Sequence, residues 1–265
     1  LRYAAMLCRQ LALRGHQVEV IQPRAVFGNL ASQHTVRKWL GYIDKYLLFP
    51  RKLRTRARAF DLVHVCDHSN SMYLRHTGGR PSSITCHDLL AIASAQGRYP
   101  EQKTSATGKV QQRWILKYLA AARNVVCVSD NTAREFAALS HGAVRNVSVI
   151  LNPLDFHGSP APRESILDLR NRLGIAAEEE YLFHIGGGHW YKNRLGVLRI
   201  FHRLTRLLRA TGAPALRLVM AGEAWSQSMR DFVSTNGLQP SVIEVVGPSN
   251  EDLRSLYSGA AALLF

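Results

Sequence analysis

The most informative stretch of the sequence reads Tyr181-Leu-Phe-His-Ile-Gly-Gly-Gly-His-Trp-Tyr-Lys-Asn193. Its apolar start predicts a β-strand, and three glycines then separate this strand from a long amphipathic helix. Glycine lets a ligand approach the backbone, while the free N–H groups and the dipole of a helix N-terminus attract anions. Because Lys192 adds a full positive charge at the same place, the stretch predicts a site for a phosphate-bearing ligand.

The spacing around Lys192 excludes the two commonest phosphate motifs. A Walker loop needs glycine directly before the lysine and Ser or Thr after it, whereas Tyr191 and Asn193 flank this lysine. A dinucleotide fingerprint that starts at Gly186 would need glycine where Tyr191 stands. The alternative interpretation is a tight strand-to-helix turn that serves packing, with Lys192 as an ordinary surface residue.

Strand and helix patterns alternate on both sides of this stretch. In the second half of the chain, helices are predicted at 165–173, 193–210, 226–235 and 250–257, and strands at 181–185, 216–221 and 243–246. In the first half, helices are predicted at 3–14, 111–122 and 132–139, and strands at 18–21, 61–66, 82–86, 125–128 and 147–151. This order predicts an α/β fold with two Rossmann-like, doubly wound parallel-sheet lobes, since helices that join parallel strands cover both faces of the sheet.

The segment 152–163 interrupts the alternation with three prolines and Gly158. We therefore predict an N-terminal lobe at 1–152, a linker at 153–163 and a C-terminal lobe at 164–265. The first helix has no strand before it, and the residues at 260–265 read as a strand that has only begun. We expect a fragment of a longer protein, with both lobes incomplete at the chain ends.

Net charge and the spacing of the cysteines indicate the kind of partner and the cellular compartment. The chain has 34 Lys and Arg against 19 Asp and Glu, a formal charge of +15, which favours anionic partners such as sugar nucleotides, acidic lipid surfaces or nucleic acid. The cysteines lack the spacing of a zinc site or a disulfide framework, as expected in a reducing compartment. No apolar run approaches the ~18 residues of a spanning helix, and the N-terminus does not resemble a signal peptide. We expect a cytoplasmic protein that is soluble or peripheral to a membrane.

The segment 36–60 is rich in basic and aromatic residues. Its basic residues are Arg37, Lys38, Lys45, Arg51, Lys52, Arg54, Arg56 and Arg58. This composition is typical of an interfacial helix on an anionic membrane surface, with Trp39 or Phe49 as inserting side chains. The alternative is a solvated helix that packs its apolar side into the first lobe. Nucleic acid is not an expected partner, because no recognition module is legible.

Polar clusters follow two of the predicted strands. They read Cys66-Asp67-His68 and Cys86-His87-Asp88. Ligands of open α/β sheets bind outside the carboxyl ends of the strands, which favours a ligand-binding or catalytic role for His87 and Asp88. Two alternatives are histidines satisfied by local hydrogen bonds and a metal site that combines both clusters.

An ordered set of motifs resembles the retaining glycosyltransferases of family 4, two-lobed GT-B enzymes that transfer a sugar from a nucleotide diphosphate donor. The motifs occupy 15–18, 85–89, 127–129, 150–155, 186–193, 219–223 and 246–257. The resemblance runs along nearly the whole chain. It implies a nucleotide-sugar donor and an acceptor that is a cell-envelope glycan or a lipid-linked saccharide.

The resemblance also implies roles for particular residues. The donor contacts would be Gly186, Gly187, Lys192, Asn193 and Glu223. Many family members have Arg where Tyr191 stands, so one cationic contact would be either missing or supplied by Arg194. His87 and Asp88 would be the catalytic-side residues, on the wall of the cleft near the transferred sugar. Neither a cofactor nor a metal is expected, because a lysine and a helix N-terminus can stabilise the charge that grows on the departing diphosphate.

The family pattern extends past both ends of this sequence. Its glycine-rich first loop would precede Leu1 and its paired-glutamate motif would follow Phe265, so we expect the chain alone to be inactive. Two other functions stay open. One is another GT-B enzyme such as a sugar-nucleotide epimerase, and the other is a non-catalytic nucleotide-binding relic. A Rossmann oxidoreductase is disfavoured by the missing dinucleotide fingerprint.

Overall fold

The computed structural model describes residues 2–23, 40–41, 43–142, 146–153 and 159–265. The chain divides into two compact units, Leu1–Asp155 and Phe156–Phe265. Within the described ranges, each unit contains a parallel four-stranded sheet with helices around it. The predicted α/β fold with two Rossmann-like lobes is confirmed. The predicted lobe and linker boundaries stay a prediction, and residues 154–158 of the linker lie outside the described residues.

The sheet of the first unit has the order β1-β2-β3-β4. Its strands are β1 (Val63–Val65), β2 (Ser82–Cys86), β3 (Asn124–Cys127) and β4 (Asn146–Val149). Its α-helices are α1 (Arg2–Leu13), α2 (Phe49–Ala57), α3 (Leu90–Ala95), α4 (Ala106–Ala120) and α5 (Asp130–Ser140). Ser105 and Ser129 cap α4 and α5 by accepting hydrogen bonds from the backbone N–H groups of Gly108 and Thr132. The core of this unit includes Ile84, Leu119 and Phe136.

The sheet of the second unit has the order β7-β6-β5-β8. Its strands are β5 (Glu180–Gly186), β6 (Leu216–Gly222), β7 (Val242–Val246) and β8 (Ala262–Leu263). Its helices are α6 (Arg163–Arg172), α7 (Arg194–Thr211), α8 (Gln227–Thr235) and α9 (Asn250–Gly259). Successive side chains of β5 alternate between two apolar clusters, because neighbours in a strand point to opposite faces. The sheet is therefore buried on both faces, as the sequence predicted.

The carboxyl ends of β5 and β6 meet at a pair of glycines. Gly186 and Gly222 are the last residues paired between the two strands. Gly222 has a φ of +130°, and a Cβ atom at this position would overlap the carbonyl oxygen of Gly186. Glycine is therefore required here for the backbones to approach each other. Gly247 closes the same edge by donating its N–H to the carbonyl oxygen of Gly222 at 2.9 Å.

The predicted strand at 18–21 is wrong. Residues 16–23 form neither helix nor strand, and Val20 is 57% exposed. An isolated apolar run cannot become a strand without a neighbour to pair with, and none of the described strands pairs with this segment. Instead, Ile21 packs against the core and Glu19 forms an ion pair with Arg56. The helix α2 lies within the segment 36–60, for which a helix was expected, whereas α3 and the 3₁₀ segment His68–His76 were not predicted.

Candidate functional site

The glycine turn of the second unit lies between β5 and α7. After Gly186 the chain passes through a 3₁₀ turn, Trp190–Lys192, and Asn193 in a left-handed conformation before α7 begins. A Cβ atom at Gly186 would lie 3.4 Å from Cβ of Lys192. The missing side chain therefore lets the stem of Lys192 rest against the end of the strand. The structure brings Gly186 and Lys192 together, as the predicted anion site requires.

The ammonium group of Lys192 lies over two aromatic rings. Its Nζ is 5.7 Å from the ring centroid of Tyr191 and 5.2 Å from that of Phe265. Both contacts are cation–π interactions, which hold a lysine in place without cancelling its charge. Lys192 therefore keeps a positive charge available beside the glycine turn.

The side chains of Asn193 and Glu223 contact different glycines around this turn. The side-chain amide of Asn193 folds back over Gly196, where a Cβ atom would collide with it. The carboxylate of Glu223 lies against the glycines instead, and a Cβ atom at Gly187 would be 3.2 Å from its Oε1. Of the two predicted donor contacts, Glu223 therefore directs its charged group at the turn and Asn193 contacts the first turn of α7.

Arg194 is buried, with 6% of its surface exposed. Its Nη1 donates a hydrogen bond of 2.8 Å to the backbone carbonyl oxygen of Glu223. Burial lowers the pKa of Arg194, and the carboxylates of Glu244 and Glu223 act in the opposite direction. The guanidinium therefore stays charged and fixes the turn after β6. A contact between Arg194 and the donor stays a prediction.

His184 is a further polar residue at this site that the sequence analysis did not single out. The side chain is 2% exposed, and its Nδ1 lies 2.9 Å from the carbonyl oxygen of Leu264. Because a carbonyl only accepts, Nδ1 carries the proton and Nε2 is the unprotonated nitrogen. Burial lowers the pKa of His184, the hydrogen bond to Leu264 acts in the opposite direction, and the charges of Arg194 and Lys192 lower the pKa further. A histidine within an apolar strand, two residues before glycine, was the signal that could have identified it.

His87 and Asp88 follow β2 in the first unit. The Nε2 of His87 donates to the carbonyl oxygen of Cys66 at 3.0 Å, and its ring meets that of Tyr3 edge-on at 4.7 Å. Asp88 is exposed, and its Oδ1 accepts the backbone N–H of Leu90 at 3.1 Å at the start of α3. The structure therefore holds both side chains at the carboxyl edge of the sheet by local hydrogen bonds.

The metal alternative required Cys66, His68, Cys86 and His87 to converge. Within the described residues, no three His, Cys, Asp or Glu side chains could hold a metal ion together. A hydrogen bond with the Cys127 thiol and burial raise the pKa of Cys86, which disfavours the thiolate that a metal would need. The Nε2 of His87 is already engaged by Cys66.

The basic segment forms α2 and a π-helical turn, Asp44–Leu48, over its described part. Phe49 is 5% exposed and packs edge-on against the ring of Tyr73 at 4.8 Å. The prediction that Phe49 could insert into a membrane is therefore wrong, whereas Trp39 lies outside the described residues. Arg51, Lys52 and Arg54 are exposed. In the part of the chain that the structure describes, no helix is long and apolar enough to cross a bilayer.

Two parallel-sheet units of this kind define the GT-B architecture of glycosyltransferases, and solved structures of that class resemble this chain. HepE of Anabaena, in complex with UDP and glucose, superposes with a TM-score of 0.66 at 16% identity, over 96% of this chain and 62% of HepE. The catalytic domain of starch synthase IV of Arabidopsis thaliana, bound to ADP and acarbose, superposes with a TM-score of 0.53 at 14% identity, over 88% of this chain and 57% of the synthase chain. The trehalose-6-phosphate synthase of Burkholderia multivorans superposes with a TM-score of 0.51 at 12% identity, over 89% of this chain and 57% of the synthase. The chain thus spans less than two thirds of each of these proteins.

The family itself is identified by sequence. Residues 2–157 match the model of Glycosyltransferase Family 4, so the chain belongs to that family. The expected family and GT-B fold are confirmed. Among curated proteins, no sequence matches the chain significantly. The roles of the individual site residues stay predictions.

Proposed function

We propose that this chain forms the nucleotide-binding part of a glycosyltransferase that takes a sugar from a nucleotide diphosphate donor. The observation that carries the proposal is the convergence of Lys192 and Gly186 at the carboxyl end of β5, ahead of α7. This edge of an open α/β sheet is where ligands bind, and the start of the helix favours anions. The crystal structure of HepE in complex with UDP-glucose supports a donor of this class.

The proposed chemistry assigns separate tasks to the two units. When the bond between the sugar and the diphosphate breaks, its electron pair stays on the diphosphate oxygen, and Lys192 with the N-terminus of α7 stabilises that charge. This assignment needs neither a metal nor another cofactor. Gly186 and Gly187 allow the backbone to approach the diphosphate, with Asn193 and Glu223 as further donor contacts. His87 and Asp88 serve the transferred sugar, with retention of configuration as in the family that this chain resembles.

A calorimetric titration of the intact protein with UDP, GDP and ADP tests the donor site. Lys192→Ala should weaken binding by about 1.5–3 kcal/mol, the range for charge-assisted hydrogen bonds, or about 10- to 150-fold in Kd. Arg206→Ala is a matched control, because Arg206 is an exposed cation on α7 and its loss changes the net charge equally. Equal affinity of Lys192→Ala and the wild type would refute the site, and binding of none of the three nucleotides would refute the function.

We also propose that the exposed face of α2 holds the protein on the inner surface of an anionic membrane, where a lipid-linked acceptor would lie. Arg51, Lys52 and Arg54 point outward while Phe49 and Leu53 belong to the core. Each basic side chain near such a surface contributes about 1 kcal/mol. Since the apolar side of α2 is buried, this contact is electrostatic and weakens with salt.

Liposome flotation tests the membrane proposal. The intact protein should float with phosphatidylglycerol vesicles, remain unbound with phosphatidylcholine vesicles, and lose binding when Arg51, Lys52 and Arg54 are all changed to Glu. The matched control reverses three exposed arginines of α7, namely Arg199, Arg203 and Arg206. Equal flotation with neutral vesicles, or an equal loss in the control, would reject a membrane role for α2.

A further inference from the structure

His184 presents its two ring nitrogens to different partners. Nδ1 donates to the carbonyl oxygen of Leu264 beside β8, at 2.9 Å. Nε2 faces the glycine turn, since a Cβ atom at Gly186 would lie 3.2 Å from it. Nδ1 therefore links β5 to the segment that follows β8, and Nε2 is directed toward the candidate donor site.

The Nε2 atom is buried, and it accepts no hydrogen bond from any described residue. A buried acceptor without a partner is unfavourable, so an unpaired nitrogen at this place calls for a functional explanation. The stem of Lys192 lies beside this nitrogen. The point that lies 3.2 Å from Nε2 also lies 3.4 Å from Cβ and 3.6 Å from Cγ of Lys192.

We propose that His184 is a positioning residue for the donor: when a diphosphate draws the Lys192 ammonium away from the rings of Tyr191 and Phe265, Nε2 accepts one hydrogen bond from it and so orients the remaining ammonium protons toward the diphosphate. An ammonium has three donors, which suffices for one bond to His184 and two to phosphate oxygens. A neutral imidazole suits this role better than a carboxylate, because a carboxylate would cancel the charge of Lys192 and repel the diphosphate. The inference rests on the proposed function of Lys192.

Two conservative variants of the intact protein separate the two nitrogens. The amide of His184→Asn can replace Nδ1 and keep the bond to Leu264, but it has no atom at the position of Nε2. The longer amide of His184→Gln reaches the position of Nε2 but gives up the bond of Nδ1. We expect His184→Asn to keep the melting temperature and to bind UDP or GDP about five- to tenfold more weakly, the loss of one hydrogen bond. His184→Gln should show the reverse, with a lower melting temperature and nearly wild-type affinity.

A double-mutant cycle with Lys192→Ala completes the test. If His184 acts through Lys192, then His184→Asn has no further effect on affinity once the lysine is gone. Wild-type affinity of His184→Asn, or losses of affinity that follow melting temperature in both variants, would overturn the inference. These outcomes differ from failure of the proposed function, in which Lys192→Ala itself leaves nucleotide affinity unchanged.

Discussion

Replacing Gly222 by alanine tests whether the carboxyl ends of β5 and β6 must meet closely. The φ of +130° is one that residues with a side chain rarely adopt, and the new Cβ would overlap the carbonyl oxygen of Gly186. Backbone strain of this kind costs about 1–3 kcal/mol, and overpacking adds about 1–3 kcal/mol. We therefore expect the free energy of unfolding of the second unit to fall by about 4 kcal/mol.

Thermal unfolding of the intact protein, followed by calorimetry, measures this loss. For a unit of this size, the expected decrease in melting temperature is about 15 °C or more. The matched control is Gly212→Ala, at the end of α7. Gly212 also has a positive φ, +68°, but a Cβ atom there would meet nothing within 4 Å in the described part of the chain. Its replacement should cost only the left-handed conformation, about 1–2 kcal/mol.

The same variant connects stability to the site. Relief of the overlap at Gly222 must displace Gly186, against which Lys192 rests. At a temperature at which both variants are folded, Gly222→Ala should therefore bind nucleotide more weakly than the wild type, and Gly212→Ala should bind it equally well. Equal unfolding temperatures for the two alanine variants would refute the claim that close backbone approach shapes this edge of the sheet.

Three further predictions concern Glu223, Phe49 and a group of three histidines. Glu223→Gln should strengthen binding of inorganic pyrophosphate in calorimetry, because the carboxylate beside the glycine turn repels an anion that brings no sugar or nucleoside for it to contact; weaker binding would contradict this. Phe49→Ala should lower the free energy of unfolding by about 3–5 kcal/mol in a denaturant titration, because the ring belongs to the core; a surface-like effect would contradict its burial. Burial lowers the pKa values of His64, His68 and His184, so the unfolded chain binds protons first, and the melting temperature should fall as the pH drops below about 6.5. A melting temperature that stays constant down to pH 5 would contradict the last prediction.

The sequence predicted the second unit well because its elements are long and both faces of its sheet are buried. A continuous apolar run that ends in glycine leaves little freedom, and β5 (predicted at 181–185) extends over Glu180–Gly186. The predicted strand at 18–21 has the same apolar character over four residues, yet it remains irregular. The difference lies in the partner, since β5 pairs with β6 and β8 while the segment 18–21 pairs with none of the described strands. A short apolar run thus forms a strand only where a neighbouring strand pairs with it.

The candidate site was predictable only where its residues are neighbours in sequence. Gly186 and Lys192 belong to one turn, so their spacing alone indicated an anion site. The contact of His184 with Leu264 joins residues 80 positions apart, and that of Arg194 with Glu223 joins residues 29 apart. Such contacts depend on which strands become neighbours, which local patterns do not encode. The burial of the Arg194 guanidinium therefore could not be predicted from the sequence.

The charge at the glycine turn depends on how the surroundings of each basic side chain affect its protonation and its charge. Burial lowers the pKa of His184 and keeps the ring neutral, so it adds no charge beside Lys192. Arg194 stays charged, but its charge is opposed by the carboxylates of Glu223 and Glu244. Lys192, the only lysine in the sequence from 159 to 265, rests on aromatic rings that leave its charge intact. A positive charge is thus held at the carboxyl end of β5 before any ligand arrives, and a charge fixed in advance stabilises a departing diphosphate without reorganisation during the reaction.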